Sequence, residues 1–225
     1  MIMHKSELVI FGASNIVSDI VECAIACQIK PKKIVLDLPE VTDNRSFPIA
    51  QRIERLNSHW NLSITTESLA SFIPTEHEIY LLGPTTPLRE ELVERIRVRH
   101  SLSFHTLIHP TAYVSSMTKL GQGVFIGAKS VIAPGVILND HVFINRGVTI
   151  GHDTKVGSYT RLQPGTNIGG LTQIGKSVTV GIGATIVDRI VIGDHAVIAA
   201  GSCVIHDIES HKLVAGSPAM IKRSI

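Results

Sequence analysis

The sequence predicts two domains of different fold class: an α/β unit with a small parallel sheet over residues 1–105, and a parallel β-helix, a hexapeptide solenoid, over 106–225. Three observations predict this. The composition of the 225-residue chain breaks near residue 108, since of 18 glycines only Gly12 and Gly83 precede it, and Glu209 is the only glutamate that follows it. Before the break, short apolar runs alternate with amphipathic stretches, the pattern of helices packed on a parallel sheet. After it, an aliphatic residue recurs at every sixth position.

In the first domain, Glu7–Phe11 (ELVIF) reads as a strand ended by Gly12. Ile16–Lys30 reads as a helix with Ile16, Val17, Ile20, Ala24 and Cys27 on one stripe, stopped by Pro31. Lys33–Leu36 is a second strand and Ile49–Leu56 a helix. Leu62–Thr65 is a short strand, with a helix over Thr66–Phe72. Glu78–Leu82 is a strand ending at Gly83. Thr86 then caps a helix with Pro87 at its first position. Glu90 and Glu91 fall in its first turn and Arg95, Arg97 and Arg99 near its end, as the helix dipole favours.

In the second domain the step of six runs Ile108, Val114, Leu120, Ile126 and onward to Val204, and all 17 positions are Ile, Val or Leu. Four residues after each comes Ala, Ser, Thr, Val or Ile, and glycine follows directly at eight of the 17. A period of six fits neither a helix nor an alternating strand. It fits a triangular coil of 18 residues, one hexapeptide per side, with the aliphatic residue inside and permissive residues turning the corner. Successive coils then stack at about 4.8 Å, and 17 hexapeptides make nearly six coils.

Composition narrows the function classes. Hydrophobic residues are 44% and charged residues 18%, which excludes a disordered chain. A net charge of +2 is too small to argue for nucleic acid as a partner. Cys23, Cys27 and Cys203 form neither a disulfide framework nor a four-cysteine zinc site and fit a reducing compartment. The N-terminus lacks the shape of a signal peptide, and no apolar run approaches the roughly 18–20 residues of a spanning helix. A cytoplasmic protein without membrane insertion is expected.

The repeat resembles the left-handed β-helix (hexapeptide-repeat) acyltransferases, and the handedness is implied by that resemblance. The chain more narrowly resembles the NeuD/PglD-type sugar O- and N-acyltransferases, which act on sialic acids and on UDP-4-amino sugars. The matching stretches are VIFGAS at 9–14, TLIHPTAYVS at 106–115, FINRGVTIGHDTKVG at 143–157, LQPGTNIGGLTQIG at 162–175 and LVAGSPAMI at 213–221. The resemblance implies a Rossmann-like N-terminal domain for the nucleotide part of a nucleotide-sugar acceptor. It also implies an acyl-CoA donor, acetyl-CoA above all, and a homotrimer with sites in the grooves between β-helices. No metal is implied. The expected role is surface-polysaccharide biosynthesis.

Acyl transfer from a thioester needs a base for the nucleophile and a donor for the oxyanion. His152, outward at a corner of hexapeptide IGHDTK, is the candidate base, since an unperturbed imidazole titrates near neutrality. Asp153 would orient it. The other reading is a solvated corner histidine beside a surface aspartate, as expected for His141 and His195. One coil on, Gly170 would offer its amide to the thioester oxygen, as the resemblance implies; a plain turn glycine is the alternative. Pro164, Ile182 and Ala200 form a second corner column, 18 residues apart, whose counterparts line the pantetheine path in the resembling enzymes. Asn145 is a substrate contact or a structural asparagine ladder. In the C-terminal segment Pro218, with Gly216 and Ala219, would shape the adenine end of CoA, and Lys222 or Arg223 would meet phosphate, the alternative being a polar tail.

Two departures from the family pattern stand out. Arg161 replaces a second histidine, nine residues after His152. Arginine stays protonated and cannot be a base, so Arg161 either holds the thioester carbonyl, pairs with an anionic acyl or acceptor group, or faces solvent without a role. The nucleotide-binding turn reads Gly12-Ala13-Ser14-Asn15-Ile16, short of two glycines, with Ser14 at the phosphate end and Asp37 as the candidate for base or ribose. Two other classes compete: a non-catalytic trimeric binding protein, and a metal hydratase resembling the γ-carbonic anhydrases, which needs three converging histidines.

Overall fold

A computed structural model describes residues 6–37, 47–83 and 88–225. It divides into two compact units, Met1–His105 and Thr106–Ile225. The first contains β1 (Glu7–Phe11), α1 (Val17–Ala26), β2 (Lys30–Leu36), α2 (Ile49–Trp60), β3 (Thr65–Ser68), β4 (Glu78–Leu82) and α3 (Arg89–Arg99). The strands pair in parallel in the order β3-β2-β1-β4. β1 is central, and Leu8, Val9, Ile10 and Phe11 are buried. Because the chain winds outward through β2 and β3 and returns to the far side for β4, the order reverses between β1 and β4. Such a switch point opens a crevice at the carboxyl ends of the strands. The two ends are drawn tightly together: Gly83 N–H donates to Phe11 O at 2.8 Å, and a Cβ on Gly83 would overlap the Gly12 carbonyl oxygen.

Several local expectations are corrected. Helix α1 ends at Ala26, and Gln28 turns the chain in the left-handed region (φ 60°), so Pro31 lies inside β2. Proline has no N–H for the ladder, and the pairing accommodates this by a register shift: Leu8 faces Pro31, but Val9 faces Lys33. Helix α2 runs on to Trp60, where Asn61 adopts the left-handed C-terminal conformation. The short strand over Leu62–Thr65 and the helix over Thr66–Phe72 are replaced by β3. Thr65–Ser68 extends the sheet beside β2, Glu67 pairs with Lys33 at 2.7 Å, and the Ser68 hydroxyl accepts from Ser71 N–H to fold the chain back. Phe72 is buried edge-on against Phe11, 5.2 Å between ring centres. Sheet pairing outweighs weak local helix preference here. The expected cap at Thr86 and Pro87 lies outside the described residues; α3 itself carries Glu90 and Glu91 in its first turn and Arg97 and Arg99 in its last.

The second unit is a left-handed parallel β-helix. Seventeen two-residue strands, β5 (Leu107–Ile108) to β21 (Cys203–Val204), each end on the aliphatic residue of the repeat. Each pairs in parallel with the strand 18 residues away, which builds three faces. Face one carries Leu107, Phe125, Phe143, Arg161, Thr179 and Val197 outward. Face two carries Tyr113, Val131, Thr149, Asn167, Thr185 and Cys203. Face three carries Lys119, Ile137, Lys155, Gln173 and Val191. From Ile126 to Val204 every repeat aliphatic is buried. β22 (Lys212–Ala215) continues face one beside β20 (Val197–Ile198), and β23 (Met220–Ser224) folds back antiparallel on it.

The corners show why the permissive residues sit where they do. The left-handed position is the third after each aliphatic, and side chains occupy it at Lys129, His141, Asp153, Tyr159, Leu171, Ser177, Arg189 and His195 as well as glycine at Gly147, Gly165 and Gly183. The glycines directly after the aliphatic answer a different constraint. A Cβ on Gly157 would lie 2.5 Å from backbone atoms of Gly175 in the next coil, and a Cβ on Gly127 2.8 Å from Arg146 N. They permit close stacking of coils and do not supply the turn.

Interior polar residues are accounted for in the same way. Thr160 Oγ1 donates to Gly175 O (2.7 Å) and accepts from Val178 N–H (3.0 Å), and Ser130 does the same with Asn145 O and Val148 N–H. A buried hydroxyl thus bridges consecutive coils with both its capacities used.

Candidate functional site

His152 lies on the corner between faces two and three, directly after the strand Thr149–Ile150. The corner is pinned on both sides: Asp153 N–H donates to Pro134 O (3.0 Å), and His152 O accepts from Leu171 N–H (2.8 Å). Asp153 takes the left-handed conformation (φ 57°), which turns its carboxylate back to the ring. His152 Nδ1 and Asp153 Oδ2 are 2.9 Å apart. A carboxylate only accepts, so Nδ1 carries the proton and Nε2 presents its lone pair. Both side chains are about three-fifths exposed in the single chain, 61% and 59%. Gly170 is directly under the ring, where a Cβ would come within 2.7 Å of His152 Nε2.

The other expected site residues fall in four places. Pro164, Ile182 and Ala200 stack on the corner between faces one and two; Ile182 is 60% exposed, and nothing lies within 4 Å of a Cβ placed on Gly165, Gly183 or Gly201 beside them. Asn145, on the same corner, is buried: its Oδ1 accepts from Arg146 N–H (2.8 Å) and its Nδ2 donates to Gln163 Oε1 (3.3 Å). The first contact is local to the corner, and the second joins Asn145 to the next coil. Pro218 and Lys222 are exposed on the β22–β23 hairpin, with Ala219 buried beneath it.

Arg161 is not solvent-facing. It stands on face one at 7% exposure with Nη2 donating to the Thr179 hydroxyl, and burial pulls its pKa down to about 10. Thr179 had no place in the sequence reading; stepping one coil from Arg161 is the signal that finds it.

In the N-terminal unit, Ser14 Oγ donates to Gly83 O (3.0 Å) across the switch point between β1 and β4. Asp37, directly after β2, is held by Arg95 through Nε (2.7 Å) and Nη2 (2.6 Å). His141 is also not a solvated corner residue: it is fully buried and stacked on Tyr159, 5.2 Å between rings. His195 stacks on His211 at 4.8 Å.

Fold and corner together define a class: a hexapeptide-repeat, left-handed β-helix protein with an N-terminal α/β domain. Residues 117–152, ending on His152, match the family model for the bacterial transferase hexapeptide (six repeats). Among solved structures, the acetyltransferase domain of PglB from Neisseria gonorrhoeae is 25% identical with a TM-score of 0.78, covering 97% of this chain and 100% of that one. The same domain in complex with acetyl coenzyme A matches with a TM-score of 0.79 at 24% identity, over the same shares of both chains. A perosamine N-acetyltransferase variant from Caulobacter crescentus, in complex with CoA and GDP-perosamine, matches at 24% identity and 0.76, covering 97% and 98%. A sequence search of curated proteins returns no match. Among the described residues no helix is long and apolar enough to cross a membrane.

Proposed function

We propose that the chain is an acyl-CoA-dependent sugar acyltransferase that moves an acetyl group from acetyl-CoA to an amino or hydroxyl group of a nucleotide-linked sugar in surface-glycan biosynthesis. The observation that carries this is the His152–Asp153 pair, set on a pinned corner over Gly170. Full-length likeness to the PglB domain supports it, as do the acetyl coenzyme A and the CoA with GDP-perosamine held by related structures.

The chemistry follows from the tautomer. Nε2 accepts the proton of the acceptor's amine or hydroxyl as that group attacks the thioester carbonyl. The carbon becomes tetrahedral, and its oxygen takes negative charge that a backbone N–H at Gly170 would stabilise. Collapse expels the CoA sulfur, which receives the proton from Nε2. Asp153 keeps the imidazole oriented and compensates its transient positive charge. The acceptor's nucleotide would be held at the carboxyl ends of β1, β2 and β4, with Ser14 at the β1–β4 switch point and Asp37 after β2. The CoA arm would pass the Pro164–Ile182–Ala200 corner toward Pro218 and Lys222. A cytoplasmic location agrees with a CoA donor and with three free cysteines.

Assembly as a homotrimer is part of the same reading. Face two has no charged outward residue, and Tyr113 and Val131 are exposed on it. Its two edges are the His152 corner and the Ile182 corner. Three copies closing around face two would therefore set the imidazole of one protomer against the apolar corner of the next.

The test is product mass spectrometry with acetyl-CoA and a panel of UDP- and GDP-amino sugars and sialic acids. A product heavier by one acetyl group, lost in His152→Asn, is the expected result. No product from any acceptor, with no thermal stabilisation by CoA, would leave a non-catalytic trimeric scaffold.

A further inference from the structure

Arg161 is a buried cation that this mechanism does not use. It sits in register between Phe143 and Thr179, both on face one. Phe143 is fully buried and stacked on Phe125, 4.7 Å between rings, so the column below the guanidinium is apolar. The Thr179 hydroxyl accepts from Nη2. Among the described residues no carboxylate pairs with Arg161, and its Nε and Nη1 are neither hydrogen-bonded nor sealed from solvent. A charge this deep ordinarily carries an anionic partner, because desolvation without one is unfavourable. The strand leads straight into Gln163 and Pro164, so Arg161 lies two to three residues before the corner proposed for the donor.

We infer that Arg161, with Thr179 beside it, receives a carboxylate borne by one of the two substrates. The carboxylate can belong to a dicarboxylic acyl group on CoA or to an acidic acceptor sugar. The chemistry is the same in either case: planar N–H donors of the guanidinium facing two carboxylate oxygens, the pairing for which arginine is better shaped than lysine. Thr179 supports it, since its oxygen accepts from Nη2 and its own proton stays available for the same anion. The inference rests on the acyltransferase reading and adds to it a charge requirement on the substrate.

The experiment compares kcat/KM for acetyl-CoA against succinyl-CoA, each with a neutral nucleotide-linked amino sugar and with its uronate counterpart. It uses the full chain, Arg161→Gln, Arg161→Lys and Thr179→Val. The native protein is expected to favour one carboxylate-bearing substrate. Arg161→Gln should lower kcat/KM for that substrate by about 10- to 100-fold while leaving the neutral one within about threefold. Arg161→Lys should restore part of the preference and Thr179→Val weaken it. Preference on the donor side identifies an acidic acyl group; preference on the acceptor side identifies an acidic sugar. An equal loss for all four pairs overturns the inference and means that a protein carboxylate or a substrate phosphate is the partner. An unchanged preference in Arg161→Gln overturns it as well. If the native protein transfers no acyl group, the acyltransferase reading fails separately, and thermal denaturation in succinate and in glucuronate decides the anion site. Stabilisation of the native chain but not of Arg161→Gln supports it, and equal shifts overturn it. Melting temperature and oligomeric state of each variant show whether the fold survives.

Discussion

The distance between a ring nitrogen and a missing methyl group decides much of this site. His152 Nε2 is the only nitrogen of that imidazole left to take a proton, because Asp153 accepts from the other. His152→Asn should therefore cut kcat by about 10²- to 10⁴-fold and leave CoA-dependent thermal stabilisation and oligomeric state unchanged. A loss of CoA binding equal to the loss of rate would show a binding role instead. Gly170 gives a sharper test. Its φ lies outside the left-handed region, so alanine is tolerated by the backbone, yet the new Cβ would fall 2.9 Å from His152 Cδ2 and 2.7 Å from Nε2. Gly170→Ala should fold with a native melting temperature and lose at least about tenfold in kcat, because the ring must swing from its productive position. Steady-state rates beside a melting curve separate the two effects. The pair His152–Asp153 was legible in the sequence because neighbours on a corner must point outward together. The burial of Arg161 and His141 was not, because a hexapeptide repeat says which residues face outward and nothing about what covers them.

At the scale of the coil and the strand, two kinds of glycine make opposite predictions. Gly157→Ala would press a Cβ to 2.5 Å from backbone atoms of Gly175 and force adjacent coils apart, so it should cost about 3 kcal/mol, the upper end of overpacking. Gly165→Ala meets nothing within 4 Å and adds only left-handed strain at φ 69°, about 1–2 kcal/mol. Urea titrations of the two variants should rank them in that order. Thr160→Val tests the bridging hydroxyls, since it leaves Gly175 O and Val178 N–H buried without that partner; a loss of about 1–3 kcal/mol is expected in the same titration. The first unit responds to acid instead. Lys32 and Lys30 hold Glu7 below the ordinary carboxylate pKa of 4.5. Burial pushes Glu78 up, but hydrogen bonds from Thr75 and the Lys32 ion pair outweigh it and leave it lowered as well. Carboxylates with lowered folded values stabilise above their unfolded pKa and lose that contribution as pH falls through the folded one. Melting temperature should thus drop as pH falls below about 4.5, and the drop should be shallower in Lys32→Met. The sequence carried the α/β alternation well because each buried face has its own period. It misplaced β3 and the entry to β2 because Pro31 and Thr65–Ser68 are governed by a neighbouring strand, and the sequence pattern of either segment alone is silent about that neighbour.

For the whole molecule, the repeat made the solenoid legible from one end to the other, yet a repeat cannot say which of three similar faces meets another copy. The distribution of charge favours one of them. Face three carries Lys119 and Lys155, and face one carries the buried Arg161, but face two presents Tyr113, Val131, Thr149, Asn167, Thr185 and Cys203. An uncharged surface bounded by the His152 and Ile182 corners is where closure around a threefold axis would bury apolar area and bring the two corners of neighbouring copies together. Val131 is 44% exposed and Thr185 is exposed, so Val131→Arg with Thr185→Arg adds two outward cations without disturbing the interior aliphatics of either coil. In an assembly each protomer would bring the same charges to the shared face, and desolvating them without partners is prohibitive. Sedimentation should show the native chain as a trimer and the double variant as a folded monomer. The variant's melting transition should also move with protein concentration less than that of the native chain. Acetyl transfer should disappear with the trimer even though His152, Asp153 and Gly170 are untouched, because in such an assembly the Ile182 corner facing them would belong to another copy. A double variant that remains trimeric would place the contact on a different face, and a monomer with full activity would put the donor and the imidazole on one chain.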